Sequence, residues 1–368
     1  MSLYGSYEEV EWLVPDFGSV ELWLVGGLLF GAGLIMTAAG TGGGGVFVPI
    51  LIGVGSLTSH EAIPLSKFVI FAGSIATLLV NTTSSKRAEI DFPKVRAIVP
   101  LSLAGTLVGV MLNLLLAEPI LMLVLACLLF LLFVKSVHMA GVSLRGERLA
   151  QAGTDPSLRK ERGLPTILGK LGDPTQFVES TQAGVSEWNR NAVMVGLVPL
   201  VVTFGVTSKI HSLDFGVQLF LILIPIVACT VTACVFYRID KVALSYPLVG
   251  LLGGVASGLF GLGGGLIYSP FLLNDGVDPA VAIAVSSTCV FFASASSTFQ
   301  YLFMGRIGIL FGLFFSAFTI VASLIAGIAV WLLTKKLNRP AYLFCIVAVV
   351  VGVCFTFTLV KSIMLMLE

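Results

Sequence analysis

Long apolar runs separated by short polar breaks dominate the chain. A run of about 20 residues crosses a hydrocarbon core at roughly 1.5 Å per residue. Residues 97–117 and 119–138 form one such pair, turning tightly at Glu118-Pro119. Residues 215–237, 307–333 and 341–360 hold no charged residue at all. Residues 280–302 are apolar but carry a Ser/Thr run, and 62–80 and 192–207 are shorter. Two more apolar stretches are each broken by glycine, 22–39 from 45–52 and 246–260 from 266–273. The pattern predicts an all-α polytopic membrane protein with about eight full spans and two Gly-broken hairpins. The large polar segment 141–190, with seven of the 21 basic residues and six acids, reads as a solvated linker. It divides a first repeat (22–140) from connecting helices (191–244) and a second repeat (245–368). Residues 1–21 are acidic, with Tyr4, Tyr7 and Trp12, and read as a segment lying at the interface rather than a signal peptide.

Composition settles the class. The hydrophobic fraction is 57% and the charged fraction 11%, against about 25% charge in a soluble domain. No water-facing exterior of this size can be covered with so few charges. Net charge is +1, with no basic tail, so nothing speaks for nucleic acid. The six cysteines form no CxxC, and His60, His138 and His211 have no ligand spacing. HExxH and GxSxG are absent, so no metal, cofactor or enzymatic reaction is implied.

The two halves repeat. Gly40-Thr41-Gly42-Gly43-Gly44 is followed by Pro49, and Gly261-Leu262-Gly263-Gly264-Gly265 by Pro270, at a constant offset of 221. Gly33 matches Gly254 at the same offset. After a one-residue slip, Ala62-Ile63 matches Ala282-Ile283 and Ser66 matches Ser286. Such glycine runs do not hold a regular helix, since each Gly costs about 1 kcal/mol relative to Ala. Unpaired amides survive at membrane depth only inside protein or beside a wet cavity. Corresponding broken segments in two halves point to a transporter's midplane site. A broken helix offers free N–H groups and a positive dipole end, which attract anions without a cationic side chain. The alternative reading is close helix packing through small residues.

The side chains extend this picture. Lys67 is the one basic residue well inside an apolar segment. A buried cation there is costly and faces an anion, unless it snorkels to the interface. Ser286, Ser287 and Thr288 occupy the matching place in the second half, where hydroxyls either donate to an anion or bond their own helix. His60 and Glu61 read as loop residues, although Glu61 offers a coupling proton a place.

The doubled Gly-x-Gly-Gly-Gly-x4-Pro motif with Ala-x3-Ser downstream (Ala62, Ser66; Ala282, Ser286) resembles the sulfite exporter TauE/SafE family of membrane permeases. The resemblance covers about residues 22 to 362. It implies a secondary carrier of small anions such as sulfite, sulfonates or sulfoacetate, working in the lipid bilayer of a cell membrane without a cofactor. The glycine breaks and the side chains beside them, read on their own chemistry, give the candidate site: Gly42, Gly43, Gly44, Gly263, Gly264 and Gly265 as backbone donors, with Ser66, Lys67, Ser286, Ser287 and Thr288 as side-chain contacts. An anion channel and a carrier of non-sulfur organic acids are the other readings. If both glycine segments are re-entrant, 17 of the 21 basic residues share one side and the halves are inverted. If each is a single crossing the tally changes by one and the halves are parallel. Alternating access around one fixed site favours inversion.

Overall fold

The computed structural model describes residues 20–38, 44–83, 90–151, 184–207, 215–240, 242–336 and 341–367. All their regular structure is α-helix. The helices are α1 (Val20–Ala38), α2 (Gly44–Gly53), α3 (Ser59–Thr83), α4 (Phe92–Leu115), α5 (Glu118–Gln151), α6 (Gly184–Thr207), α7 (Phe215–Asp240), α8 (Ser245–Phe260), α9 (Gly265–Asn274), α10 (Pro279–Phe303), α11 (Ile309–Lys336) and α12 (Ala341–Leu367). Among the described residues seven helices are long and apolar enough to cross a membrane: α1, α3, α4, α5, α7, α10 and α11. Leu131, Phe220, Leu313 and Val353 stand exposed on their outer faces, where lipid would cover them. The protein is an integral multi-pass membrane protein.

Packing follows the duplication. The α1–α5 unit and the α8–α12 unit correspond helix by helix, and the principal pairings in one half recur in the other. Helix α4 packs on α8 as α11 packs on α1, and α4 on α10 as α11 on α3. The two helices α3 and α10 meet each other, as do α5 and α12.

Named contacts fix the directions. Ser74 Oγ lies 3.5 Å from Ser294 Oγ, while Asn81, further along α3, bonds Ser287, further back on α10. These equivalent helices are therefore antiparallel. Phe130 and Phe133 meet Phe355 and Gly352 in the same reversed order, so α5 and α12 are antiparallel too. The repeats are inverted.

The same logic turns each glycine-broken segment into a hairpin. Helix α1 runs parallel to α11, with Trp23 against Phe314, Gly33 against Ala322 and Thr37 against Ser323. Helix α3 also runs parallel to α11, with Phe68 against Gly312, Gly73 against Ser323 and Val80 against Gly327. Since α1 and α3 point the same way, α2 must return to the side from which α1 came. Helices α8 and α4 are parallel, with Gly250, Gly254 and Gly258 set against the carbonyls of Ile98, Ser102 and Thr106. This small-residue face lets two backbones touch. Because α4 returns across from α3, α8 shares the direction of α10, and α9 is the second returning arm. At ten residues each, α2 and α9 reach about 15 Å, half of a hydrocarbon core.

Helices α6 and α7 belong to neither repeat and brace α4. Buried Arg96 on α4 forms a two-pronged pair with Asp240 on α7, at 2.9 and 3.0 Å, and donates to Asn191 Oδ1 on α6 at 3.1 Å. The polar segment expected at 141–190 is helical at both ends, α5 continuing to Gln151 and α6 starting at Gly184. Its middle, and residues 1–19 of the expected interfacial segment, lie outside the described residues.

Candidate functional site

The two helix breaks abut. Gly44 opens α2, and a Cβ there would stand 2.2 Å from the carbonyl carbon of Leu262 and 2.6 Å from Gly261 O. No side chain fits between the breaks. In the second break Gly261 caps α8 with φ 72°, its N–H donating to Ser257 O at 3.1 Å. Gly263 and Gly264 follow with φ 72° and 74°. An L-residue at such angles costs about 1–2 kcal/mol. The chain reverses here because glycine alone adopts this run freely. Buried Gly265 then opens α9. Helices α2 and α9 thus both begin in this buried place, with the free amides and positive dipole ends of helix starts. Gly42 and Gly43 lie outside the described residues.

Two side chains of α3 reach the second break. Ser66 Oγ donates to Ile63 O at 2.7 Å and lies 2.5 Å from the position a Cβ on Gly261 would take. Lys67 is wholly buried, and its Nζ donates to Ser257 Oγ at 2.5 Å, in the last turn of α8. Among the described residues this is its one hydrogen bond, and no carboxylate is within ion-pair distance. An ammonium has three protons to donate, so donor capacity remains. The C-terminal end of α8 offsets part of the cost of burying the charge. The lysine does not snorkel: its head is held against α8.

On α10 the predicted trio divides. Ser286 is fully buried. Ser287 accepts from Asn81 Nδ2 at 3.1 Å and lines a cavity. Thr288 donates to Ala284 O of its own helix at 2.8 Å.

A small, partly open cavity with room for about one water molecule lies between α1, α2, α3, α10 and α11. Six hydroxyls line it, from Thr37, Ser74, Thr77, Ser287, Thr319 and Ser323, and no charged side chain does. Ile70 and Val290 also line it, 3.5 and 3.6 Å from the Cβ position of Gly263, so it adjoins the breaks. Sequence reasoning did not single out Ser257, Tyr268 or most of these hydroxyls. Their signal was present on α3, where Lys67, Ile70, Ser74, Thr77 and Asn81 recur at three- and four-residue steps on one face. Among the described residues no cluster of His, Cys, Asp or Glu is placed to hold a metal ion.

Two inverted repeats, each opened by a glycine-broken re-entrant hairpin, make this a membrane protein of the transporter class. The sulfite exporter TauE/SafE family matches residues 25–233 and 246–364, and the chain belongs to that family. It is similar to Sulfite exporter TauE/SafE family protein 5 of Arabidopsis thaliana, 27% identical over 88% of this chain and 79% of that protein. Family protein 6 of the same plant is 27% identical over 78% of this chain and 68% of its own length. Family protein 1 is 26% identical over 88% and 80% respectively. No solved structure matches the chain.

Proposed function

We propose that the protein is a secondary carrier of small sulfur-containing anions, such as sulfite, sulfonates or sulfoacetate, bound at midplane between the glycine breaks. The observation that carries this reading is Lys67, fully buried beside the second break with its ammonium bonded to Ser257 Oγ and to no carboxylate among the described residues. A buried cation without a carboxylate partner is expensive. A bound anion offsets that cost, and the converging starts of α2 and α9 add dipolar attraction. In this reading Gly42, Gly43, Gly44, Gly263, Gly264 and Gly265 donate backbone amides. Ser66, Lys67, Ser286, Ser287 and Thr288 complete the shell from the side chains. Inverted hairpins meeting at one place give alternating access around a fixed site. The relatives, named as members of a sulfite exporter family, support the substrate class.

Counterflow in proteoliposomes tests it. Vesicles are loaded with sulfite or a sulfonate, and labelled anion is followed from outside with no net gradient. Saturable exchange, weakened in Lys67→Ala, is the expected result. Absence of exchange for sulfite and a sulfonate panel, with the protein shown folded, overturns the substrate class. Unsaturable flux identifies a channel.

A further inference from the structure

The two repeats differ where their interiors are most polar. By the repeat offsets, Lys67 corresponds to Ser287, Ser257 to Met36, Tyr268 to Phe47 and Tyr301 to Asn81. In the α4/α8 half Lys67, Ser257, Tyr268 and Tyr301 are all buried and engaged. Lys67 Nζ reaches Ser257 Oγ at 2.5 Å, tying α3 to α8. Tyr268 OH lies 2.7 Å from Ser102 Oγ, tying α9 to α4. Tyr301 OH donates to Gly258 O at 2.8 Å, tying α10 to α8. In the α1/α11 half, Ser287 and Phe47 carry neither an ammonium nor a ring hydroxyl to make these ties. There both residues line the cavity, as does Thr319.

We infer that the hydroxyl-lined cavity between α1, α3, α10 and α11 is the vestibule through which the anion reaches the breaks, and that its counterpart is a gate latched by Lys67–Ser257 and Tyr268–Ser102. The inference rests on the transport reading above. The vestibule is lined by hydroxyls and no fixed charge, so nothing traps an ion there. Thr37 and Ser323 share one bond, while Ser74, Thr77, Ser287 and Thr319 donate to carbonyls and turn toward an anion only by giving those bonds up. Ile70, Val290 and Gly263 link it to the breaks. The gate side suits opening. Its α4–α8 face is glycine against carbonyl, with few interlocking side chains to prevent a shear. Intraprotein hydrogen bonds are individually modest in net strength, so two of them close a path without locking it permanently.

Thiol labelling in a cysteine-depleted background tests this. Ser323→Cys reports on the vestibule, which Ser323 lines, and Thr106→Cys reports on the gate, one helical turn along α4 from Ser102. The probe is a charged, membrane-impermeant methanethiosulfonate added to both faces of proteoliposomes without substrate. Both side chains are buried, Ser323 bordering the cavity and Thr106 behind the latches. Ser323→Cys is expected to react at least about tenfold faster than Thr106→Cys, as a thiol behind a closed path is protected. Adding Tyr268→Phe, or the milder Ser102→Ala, should speed Thr106→Cys labelling about three- to tenfold, the worth of one net hydrogen bond, with Ser323→Cys labelling retained as evidence of fold. Equal labelling of the two positions, or a Thr106→Cys rate unmoved by both latch variants, overturns the inference. Labelling uses no substrate. A silent counterflow assay beside this labelling pattern removes the substrate class and leaves the gate, and the reverse outcome removes the gate alone.

Discussion

Gly44 and Leu262, 218 positions apart in the sequence, are in backbone contact: a methyl group on Gly44 would stand 2.2 Å from the Leu262 carbonyl carbon. This is the point at which the two hairpins lean on each other. Gly44→Ala should therefore force the breaks apart and abolish saturable counterflow. Overpacking of this kind costs about 1–3 kcal/mol, so the variant should still fold, with a lowered melting temperature in detergent. Unimpaired counterflow by folded Gly44→Ala protein would show that the meeting of the breaks is irrelevant to transport.

Lys67 separates charge from volume. Lys67→Met keeps most of the side-chain bulk and removes the ammonium. The expected outcome is a rise in half-saturating anion concentration of about tenfold or more, the loss of one charge-assisted hydrogen bond or better. Relief of a buried charge should leave thermal stability unchanged or raised. Unchanged half-saturation in counterflow would move Lys67 out of the anion's shell.

Arg96 and Asp240 bind the extra helices to the first repeat. Asp240→Ala leaves the Arg96 guanidinium buried with Asn191 alone, and breaking such a pair costs about 3–5 kcal/mol. Thermal unfolding and limited proteolysis of α6 and α7 should both register the loss. The double variant Arg96→Met/Asp240→Leu should recover most of it, because no uncompensated charge remains.

The parallel α4–α8 seam offers an internal contrast. A Cβ on Gly254 would stand 2.1 Å from Ser102 O, whereas one on Gly27 of α1 meets nothing within 4 Å. Gly254→Ala should lower stability by roughly 1–3 kcal/mol. Gly27→Ala should be neutral or stabilising by up to about 1 kcal/mol, from helix propensity. Equal effects in thermal unfolding would refute the close seam.

Much of this architecture was legible in the chain. The constant 221-residue offset marks the duplication, and glycine runs between apolar stretches mark the breaks, because both are covalent facts of the sequence. Direction was harder. Basic residues tallied almost equally for hairpins and for single crossings, and the antiparallel Ser74–Ser294 and Asn81–Ser287 contacts decide between them. The vestibule was least legible. Ser74 and Thr77 donate to Phe71 O and Gly73 O of their own helix, as membrane hydroxyls commonly do. Nothing local distinguishes them from hydroxyls that face no cavity. Nor did composition foretell that α5 continues as helix to Gln151, since polar residues suit an exposed helix as well as a loop.

Helices α6 and α7 arrive as a pair, and parity gives that number its meaning. Each repeat holds three long helices of alternating direction after its hairpin, so it ends on the side opposite to its entry. The two further helices α6 and α7 restore the chain to the same side, and the second repeat is threaded upside down. A single additional span would turn that repeat over. Both hairpins would then dip from one face, and the starts of α2 and α9 would point the same way instead of toward each other. Insertions between the halves are thus tolerated only in even numbers.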